Sequence, residues 1–399
     1  MKILFINPVG VIGGAERVLL TIFSAISNQK KDIDIHLIVG TDGQLVEQAK
    51  KLGVQVQILP FPESINQLGD SAFKDTNRIL ATLILLLKII TILPSIGKYI
   101  GNLQQLVRHI NPDLIHSNGI KSHLLLALLR VKSIPIVWHI HDFYSSRPLI
   151  GNVLKWISPS AKLGIAISQT VAEDAKKTLP SLPIQLIYNT VDINYFCPSL
   201  SPIVNSHLPL QIGLVATFAR WKGHDIFILA AAHVLKTRPD LNLRFCIVGE
   251  PIYKTRGSQF SQQELKDKAS SLDIADKINF EGFQQDIVKI YHKLDIIIHA
   301  STQPEPFGLV IVEAMACSKP VVVSQAGGAS ELFTHNYDAV GVPPSDAIAL
   351  AAAILDLIDN PEKRQLISEN ARNTATKRFN SQNLAQQILT VYNLVLSSK

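Results

Sequence analysis

The stretch KILFINP at residues 2–8 is the first of a series of apolar runs that indicate the fold of the first half of the chain. It is a short apolar run that ends in asparagine and proline, and a helical pattern from about Gly14 separates it from a second run, DIDIHLIVG at residues 32–40. Further runs of this kind are VQVQILP, DLIHSN, IPIVWHI, LGIAIS and IQLIYN. Continuous apolar strands that alternate with helices are typical of a parallel sheet covered on both faces.

The alternation stops at residues 196–210, FCPSLSPIVNSHLPL, whose prolines and serines indicate a linker. A second series follows at once, and one of its helices opens with the capping box Ser261-x-x-Glu264. The apolar runs of this series are QIGLVAT, LRFCIVG, KINFEG, LDIIIHA, KPVVVSQ and DAVGVPP. The sequence therefore predicts two tandem doubly wound α/β domains.

These breaks also predict the domain bounds. They place a first domain at 1–195, a linker at 196–209, a second domain at 210–380 and a C-terminal helix at 381–399 that packs back on the first domain. Ligands of doubly wound sheets bind beyond the carboxyl ends of the strands, so the cleft between the domains is the expected site.

Length and composition agree with a two-domain globular protein, since the chain has 399 residues, 47% of them hydrophobic and 18% charged. Cys197, Cys246 and Cys317 form no CxxC or Cys/His cluster, which argues against a disulfide framework and a zinc site and favours a reducing cytosol. The N-terminal MKILFINPVG has one lysine and a short apolar run, as expected of a first strand rather than a signal peptide.

The net charge of +6 lies entirely in the first half of the chain. Residues 1–200 hold 19 Lys/Arg and 13 Asp/Glu, and residues 201–399 hold 19 of each. No arginine-rich arm is present, so the sequence favours an anionic membrane surface or an anionic substrate over nucleic acid as the partner. A merely solvated basic surface is the alternative.

One segment, ILATLILLLKIITIL at residues 79–93, is apolar on all faces except for Lys88 and two threonines. Because a helix needs about 20 residues to span a bilayer, this segment is too short to cross one. It is predicted to be a core helix, with a lipid-facing surface as the alternative.

The stretch PEPFGLVIVEAM at residues 304–315 sets Glu305 and Glu313 eight apart. The helix predicted between them has no polar face except Glu313, so it is expected to be buried. A carboxylate buried without partners is costly, and each glutamate therefore needs hydrogen-bonding groups from the protein or from a ligand.

The start of this helix is a candidate phosphate site. The backbone amides of Gly308, Leu309 and Val310 are its first donors, and no side chain crowds them. Glu313 lies about two turns inside the helix, where it could bind a vicinal diol such as a ribose. Glu305 lies just outside, where it could bind hydroxyls beyond the phosphates.

PEPFGLVIVEAM resembles the Glu-x7-Glu signature of the retaining glycosyltransferases of family 4, the group 1 set with two Rossmann-like domains in the GT-B architecture. The resemblance extends over most of the chain, because further motifs stand in the family's order. They are GGAE at 13–16, HD at 141–142, YNTVDINYF at 188–196, WKG at 221–223 and PVVVSQAGGASEL at 320–332.

The resemblance implies donor-binding roles. Lys222 would neutralise the donor diphosphate, Glu313 would hold the ribose and Glu305 the transferred sugar. The amides of Gly13 and Gly14 would approach phosphate and acceptor. No cofactor and no metal ion would be required, because Lys222 and helix-end amides replace the metal.

The resemblance also implies catalytic and acceptor roles. His141 would lie beside the reacting carbon and, with Lys222 and Glu305, form the catalytic set. Glu16 and His116 would lie in the acceptor region, although packing explains His116 equally well. His139 is predicted to be a core histidine that points away from His141, because strand side chains alternate.

The chain departs from the family pattern at three positions. Thr217 stands where an arginine is common, and Arg220 is the candidate to replace it. Thr190 and Ser318 stand where glycine is usual. These departures affect the expected details of donor binding and leave fold and class unchanged.

Other chemistries are weaker interpretations of the same residues. Asp32-Ile33-Asp34 spells a metal-binding DxD string but lies at a strand start, which favours a structural role. GxGxxG is absent, so only Asp42 supports a dehydrogenase. Paired Glu305 and Glu313 could serve a glycosidase, but the lysine loop suits a nucleotide better.

The predicted function is transfer of a hexose-like sugar from a nucleotide diphosphate sugar to a hydroxyl of a glycan or glycolipid, without a metal. The alternatives are a sugar-nucleotide epimerase, a phosphorylase, or a non-catalytic nucleotide-sugar-binding protein of the same architecture. The expected location is the cytoplasm, including the cytoplasmic face of a membrane.

Overall fold

The fold comes from a computed structural model that describes residues 1–29, 32–61, 78–129, 131, 133–199, 209–251 and 257–397, without the side chains of 78–93. The chain forms two compact units. Unit 1 comprises Met1–Tyr188 and Gln382–Lys399, and unit 2 comprises Asn189–Ser381.

Unit 1 contains a seven-stranded parallel sheet in the order β3-β2-β1-β4-β5-β6-β7. Its strands are β1 Lys2–Asn7, β2 Asp34–Val39, β3 Gln55–Ile58, β4 Leu114–Asn118, β5 Ile136–Ile140, β6 Leu163–Ala166 and β7 Ile184–Leu186. Its helices among the described residues up to 188 are α1 Gly14–Gln29, α2 Gln44–Lys51, α3 Arg78–Ile110, α4 Ile120–Ala127, α5 Pro148–Ile157 and α6 Gln169–Thr178.

Unit 2 contains a six-stranded parallel sheet in the order β10-β9-β8-β11-β12-β13. Its strands are β8 Leu210–Val215, β9 Leu243–Val248, β10 Ile278–Phe280, β11 Ile296–His299, β12 Val321–Ser324 and β13 Val340–Val342. Its helices are α7 His224–Thr237, α8 Gln262–Ser270, α9 Ile287–Lys293, α10 Leu309–Ala316, α11 Ala347–Asp359 and α12 Pro361–Arg378. The prediction of two doubly wound α/β domains is confirmed.

Both sheets reverse their strand order next to the first strand of the unit. The reversal lies between β1 and β4 in unit 1 and between β8 and β11 in unit 2. Diverging connections open a crevice at the carboxyl ends of such strand pairs, which is where doubly wound folds bind ligands. Residues that follow these strand ends closely in sequence are therefore the ones expected to line a binding site.

The boundary between the units differs from the predicted end of the first domain at residue 195. Residues 189–195 belong to unit 2 because Val191 forms a β-bridge with Asn380 and the Arg372 guanidinium donates to the carbonyl of Ile193. Most of the predicted linker, residues 200–208, lies outside the described residues.

The C-terminal helix α13, Leu384–Ser397, belongs to unit 1. Its buried Tyr392 hydroxyl is hydrogen-bonded to His116 Nδ1 at 2.8 Å. The chain thus returns to unit 1 after completing unit 2.

The apolar segment 79–93 falls within α3, whose backbone is helical over Arg78–Ile110. Its side chains lie outside the described part of the structure, so the choice between a core and a lipid-facing role is not addressed there. Within the described residues, no helix is both long enough and apolar enough to cross a bilayer.

The loop after β8 is fixed against the end of β11. Gly223 adopts a φ of 73°, and a β-carbon at this position would lie 1.9 Å from the carbonyl oxygen of Ala300. The Thr302 amide donates to the Trp221 carbonyl at 2.8 Å. Only glycine allows this close approach of two backbones, and the approach fixes the loop that carries Lys222.

This contact predicts that Gly223→Ala lowers the free energy of unfolding, because the new methyl group would overlap a backbone carbonyl that cannot rotate away. Gly282→Ala is the matched control, since Gly282 also has a positive φ, 59°, but open space at its β-carbon position. In urea titrations, Gly223→Ala should cost at least about 2 kcal/mol more than the control. Equal losses would contradict the close packing of the two loops.

Candidate functional site

The candidate site of unit 2 lies where the strand order reverses, at the carboxyl ends of β8 and β11. Lys222 follows β8 in a short 3₁₀ turn, Arg220–Lys222. His299 is the last residue of β11, and Glu305 comes six residues later. The fold therefore brings together residues that are 83 apart in sequence.

The centre of this site is a buried carboxylate with three neighbours on one oxygen. Glu305 Oε2 accepts hydrogen bonds from Lys222 Nζ at 2.7 Å and Ser301 Oγ at 2.9 Å, and lies 3.2 Å from His299 Nε2. In the described part of the chain, no group donates to the other oxygen, Oε1. One oxygen is thus held by the protein while the other is available to a ligand hydroxyl.

These neighbours keep Glu305 ionised. Burial alone would raise the pKa of its carboxyl, but the Lys222 charge and the His299 hydrogen bond outweigh burial and lower the pKa well below its usual range. Lys222 itself lies over the Trp221 ring, with Nζ 4.1 Å from the ring centre. The site therefore carries a fixed pair of opposite charges at neutral pH.

The backbone of Glu305 is as tightly held as its side chain. Its amide donates to the Ala326 carbonyl at 3.1 Å, and its carbonyl accepts from the Gly328 amide at 2.7 Å. The two segments form a parallel bridge between Glu305 and Gly327. The AGG sequence after β12 thus fixes the position of the carboxylate.

Helix α10 begins directly beyond this carboxylate. Gly308 is its N-cap residue with a φ of 99°, and no side chain of the described residues caps the helix. The first amides of a helix have no acceptor within the helix, so Leu309 and Val310 present donors at this end. Residues 311–316 are buried, as the lack of a polar face predicts.

Glu313 is buried inside unit 2, where its Oε2 accepts a hydrogen bond from the Tyr291 hydroxyl at 2.7 Å. The protein therefore supplies at least one partner for this carboxylate. Binding of a ribose by Glu313 stays a prediction.

Arg220, the candidate to replace the missing arginine, and Ser318, which stands where glycine is usual, are held by contacts within unit 2. The Arg220 guanidinium donates to Glu264 at 2.6 Å and to the Gly257 carbonyl at 3.1 Å, and it lies over the Phe260 ring. A role in place of an arginine at Thr217 would require release of these contacts. Ser318 follows α10 with a left-handed φ of 57°, and its hydroxyl donates to the Ser368 carbonyl at 3.1 Å.

Unit 1 has a chain of polar side chains across the ends of β1, β4 and β5. Asn118 Nδ2 donates to Asn7 Oδ1 at 2.7 Å, and Asn7 Nδ2 donates to Glu16 Oε1 at 3.2 Å. His141 Nε2 lies 2.7 Å from Asn118 Oδ1. Glu16 Oε2 in turn accepts from the Gly13 amide at 3.0 Å. The glycine loop and His141 therefore belong to one hydrogen-bonded network.

Asn7 and Asn118 are the residues that the sequence interpretation missed. Each is the last residue of its strand, and the two strands are neighbours because Ile6 pairs with Ser117. A polar residue at the end of an apolar run was visible in both KILFIN and LIHSN. The strand order, which makes the two runs adjacent, was not.

Glu16 lies in the first turn of α1 and is buried. Burial raises the pKa of its carboxyl, and the hydrogen bonds from Asn7 and from the Gly13 amide only partly offset this effect. Glu16 thus supports the glycine loop from within. Gly14, the first residue of α1, has open space at its β-carbon position, which suits the approach of a ligand to the backbone.

His116 occupies a packed position rather than an acceptor pocket. It is fully buried, with Nε2 3.1 Å from His139 Nδ1 and Nδ1 bonded to Tyr392. The structure therefore favours the packing interpretation of His116. His139 is also a core residue, but the expectation that it points away from His141 is wrong. Residues two apart along an extended chain lie on the same face, and the two ring centres are 4.2 Å apart.

Burial keeps these histidines neutral. It lowers the pKa of His141 to about 3, and burial together with the nearby His141 lowers the pKa of His116 to about 3. His141 can therefore offer a hydrogen bond at neutral pH without carrying a charge.

Two family models match the chain. "Glycosyl transferases group 1" matches residues 205–374, and "Glycosyltransferase Family 4" matches residues 12–195. Among curated proteins, the chain is 22% identical to N-acetyl-alpha-D-glucosaminyl L-malate synthase of Bacillus anthracis, over 74% of this chain and 78% of that protein.

Solved structures share the fold over nearly the whole chain. HepE of Anabaena in complex with UDP-glucose is 26% identical with a TM-score of 0.79, over 98% of this chain and 99% of HepE. Sucrose-phosphate synthase of Thermosynechococcus elongatus is 18% identical with a TM-score of 0.79 over all of both chains, which shows the same fold.

The neutral histidines predict a loss of stability in acid. Because their pKa values of about 3 lie below the ordinary 6.5, the unfolded chain binds protons first as the pH falls. The contribution of these histidines to the free energy of unfolding is then fully present above about pH 6.5. It declines as the pH falls toward 3, by about 1.4 kcal/mol per pH unit for each such histidine. Urea titrations between pH 7 and 5 measure this slope.

His116→Gln should reduce that slope by the contribution of one histidine, whatever its effect on stability at pH 7. His109→Gln, at an exposed position near the end of α3, is the matched control. A slope in His116→Gln equal to that of the control would show that His116 takes up its proton in the folded protein.

Proposed function

Since this chain belongs to the group 1, family 4 type of glycosyltransferases, we propose that it transfers a hexose-like sugar from a nucleotide diphosphate sugar to a hydroxyl of a glycan or glycolipid. The proposal includes retention of configuration at the anomeric carbon and a reaction without a metal ion. The observation that carries it is the Lys222–Glu305 ion pair at the point where the sheet order of unit 2 reverses.

Lys222 is suited to the donor diphosphate. An ammonium group has three N–H donors, and one of them is used by Glu305, so the others can bind phosphate oxygens. As the bond to the sugar breaks, negative charge grows on the leaving diphosphate, and a positioned cation stabilises that charge. The first amides of α10, from Leu309 and Val310, would add neutral donors with the positive end of the helix dipole.

Glu305 is suited to the sugar rather than to the phosphates. Oε2 is held by the protein, and Oε1 would accept a hydrogen bond from a sugar hydroxyl. Because the carboxylate is fixed in advance, little side-chain freedom is lost when the sugar binds. The fixed carboxylate therefore favours one orientation of the sugar above the leaving group.

The proposed reaction forms the bond from the acceptor oxygen to the anomeric carbon on the face from which the diphosphate leaves. The acceptor hydroxyl gives its proton to the departing phosphate oxygen, so no protein base is needed. The protein contributes orientation and charge stabilisation. His141, which is neutral, would contribute a hydrogen bond and polarity.

HepE, a relative of similar length, binds UDP-glucose, so UDP-hexoses are the first donors to test. The basic first half of the sequence supports a glycolipid acceptor at the cytoplasmic face of a membrane.

The function is tested with a panel of UDP-, GDP- and ADP-hexoses, by measuring nucleotide release with and without oligosaccharide or polyprenyl-phosphate-linked acceptors. Proton NMR coupling constants of the product report the anomeric configuration. Interconversion of nucleotide sugars without an acceptor would indicate an epimerase. A thermal shift with a donor but no nucleotide release under any condition would indicate a binding protein.

Lys222→Ala should lower turnover about 10²- to 10³-fold, because it removes the cation that stabilises the leaving group. Lys236→Ala, on the exposed side of α7, removes one lysine outside the site and is the matched control. Melting temperatures of both variants are compared with that of the parent to test for a folding defect. Turnover in Lys222→Ala close to that of the control would remove Lys222 from the mechanism.

Glu313→Gln should weaken donor binding about tenfold or more while the protein stays folded, since a charged acceptor would be lost from the ribose. Tyr291→Phe is its control, because it removes the hydroxyl that bonds to Glu313 and keeps the carboxylate. Calorimetric titration with UDP measures both affinities. If Glu313→Gln binds UDP as tightly as the parent, Glu313 has a structural role only.

A further inference from the structure

Helix α5, Pro148–Ile157, is apolar on two opposite faces. One face carries Gly151 and Leu154, which are buried in unit 1. The other carries Leu149, Val153 and Trp156, whose exposures are 75%, 47% and 83%. Spacings of four and three residues place these three side chains on one side of the helix. A tryptophan and a leucine so fully exposed in one stripe mark an interaction surface.

The segment of sequence that carries this stripe is basic. From residue 119 to 162 the sequence has six Lys/Arg and a single acidic residue, Asp142. Three of the basic residues, Arg147, Lys155 and Lys162, are exposed and lie on α5 or within five residues of its ends. The partner of this surface should therefore combine an apolar layer with negative charge.

We propose that the stripe Leu149, Val153 and Trp156 docks unit 1 on an anionic lipid bilayer. The apolar side chains would enter the boundary between headgroups and acyl chains, where tryptophan is favoured, and the basic residues would contact lipid phosphates. The purpose of this docking, access to a lipid-linked acceptor, rests on the proposed function. The evidence for the surface itself, which is its exposure and charge, does not.

A second copy of this chain fits the stripe less well. A symmetric contact through α5 would bring Arg147, Lys155 and Lys162 of one copy near the same residues of the other, and like charges would repel. Three side chains are also far fewer than the roughly 20–30 residues that each partner contributes to a stable interface.

The helix is firmly attached to the segment that carries His141. Pro148 follows His141 by seven residues, and a β-carbon on Gly151 would lie 3.1 Å from the Tyr144 carbonyl oxygen. Asp174 of α6 accepts the Tyr144 amide at 2.6 Å. A bilayer bound at α5 would therefore be held next to this segment of unit 1.

The test is flotation of the full chain with vesicles of phosphatidylcholine, alone or with phosphatidylglycerol. The protein should float with the anionic vesicles, and added salt should weaken binding. The double variant Leu149→Ser/Trp156→Ser should lower the partition coefficient at least about tenfold. Leu366→Ser, at an exposed leucine of α12, is the matched control and should float like the parent.

Tryptophan fluorescence gives an independent readout. Of the three tryptophans, Trp138 is buried, so a blue shift on vesicle addition that disappears in Trp156→Phe assigns the signal to α5. Trp156→Phe should still float, because phenylalanine keeps the apolar contact.

The proposal is overturned if the parent binds neither vesicle type, or if the double variant floats as well as the parent. It is also overturned if the parent is a dimer that only the double variant dissociates, since a second copy then covers the stripe. Transfer to a soluble acceptor by a protein that does not float would refute this inference alone. Flotation without any sugar transfer would leave it intact and refute the proposed function.

Discussion

The candidate donor site depends on one ion pair, between the half-buried Lys222 and the buried Glu305. A buried carboxylate without a nearby cation would take up a proton. The charge on Glu305 therefore requires Lys222, and the pair requires that the loops after β8 and β11 stay in place. The backbone contacts of Gly223 with Ala300, and of Glu305 with Ala326 and Gly328, supply that rigidity.

The two units hold their candidate site residues in place by different interactions. Unit 2 fixes a pair of opposite charges, whereas unit 1 joins Asn7, Glu16, Asn118 and His141 in one hydrogen-bonded network. The two asparagines and the neutral His141 in this network hold each donor and acceptor in one orientation. A site of this kind is suited to hydroxyl groups, while the charged site is suited to phosphates.

The sequence was sufficient for the fold and for part of the site. Alternating apolar runs predicted both sheets, and the spacing within PEPFGLVIVEAM predicted the buried helix and the place of Glu305. It could not supply His299 and Ser301 as partners of Glu305 Oε2, because those contacts depend on the path of the loop after β11. It could not supply Asn7 beside Asn118 either, because that contact depends on which strands are neighbours. For His116, periodicity predicted a strand position. It could not predict that α13, far away in sequence, covers this residue with Tyr392.

Ser318 stands in a left-handed conformation, at a position where the family resemblance implies glycine. A left-handed conformation costs a serine about 1–2 kcal/mol more than a glycine, but the Ser318 hydroxyl gains a hydrogen bond to the Ser368 carbonyl, a contribution of about 1 kcal/mol. Serine also leaves the unfolded chain less conformational freedom than glycine, which offsets about 0.4–1 kcal/mol more. The exchange of glycine for serine is therefore nearly neutral for the free energy of unfolding, so the end of α10 keeps its left-handed turn without a glycine.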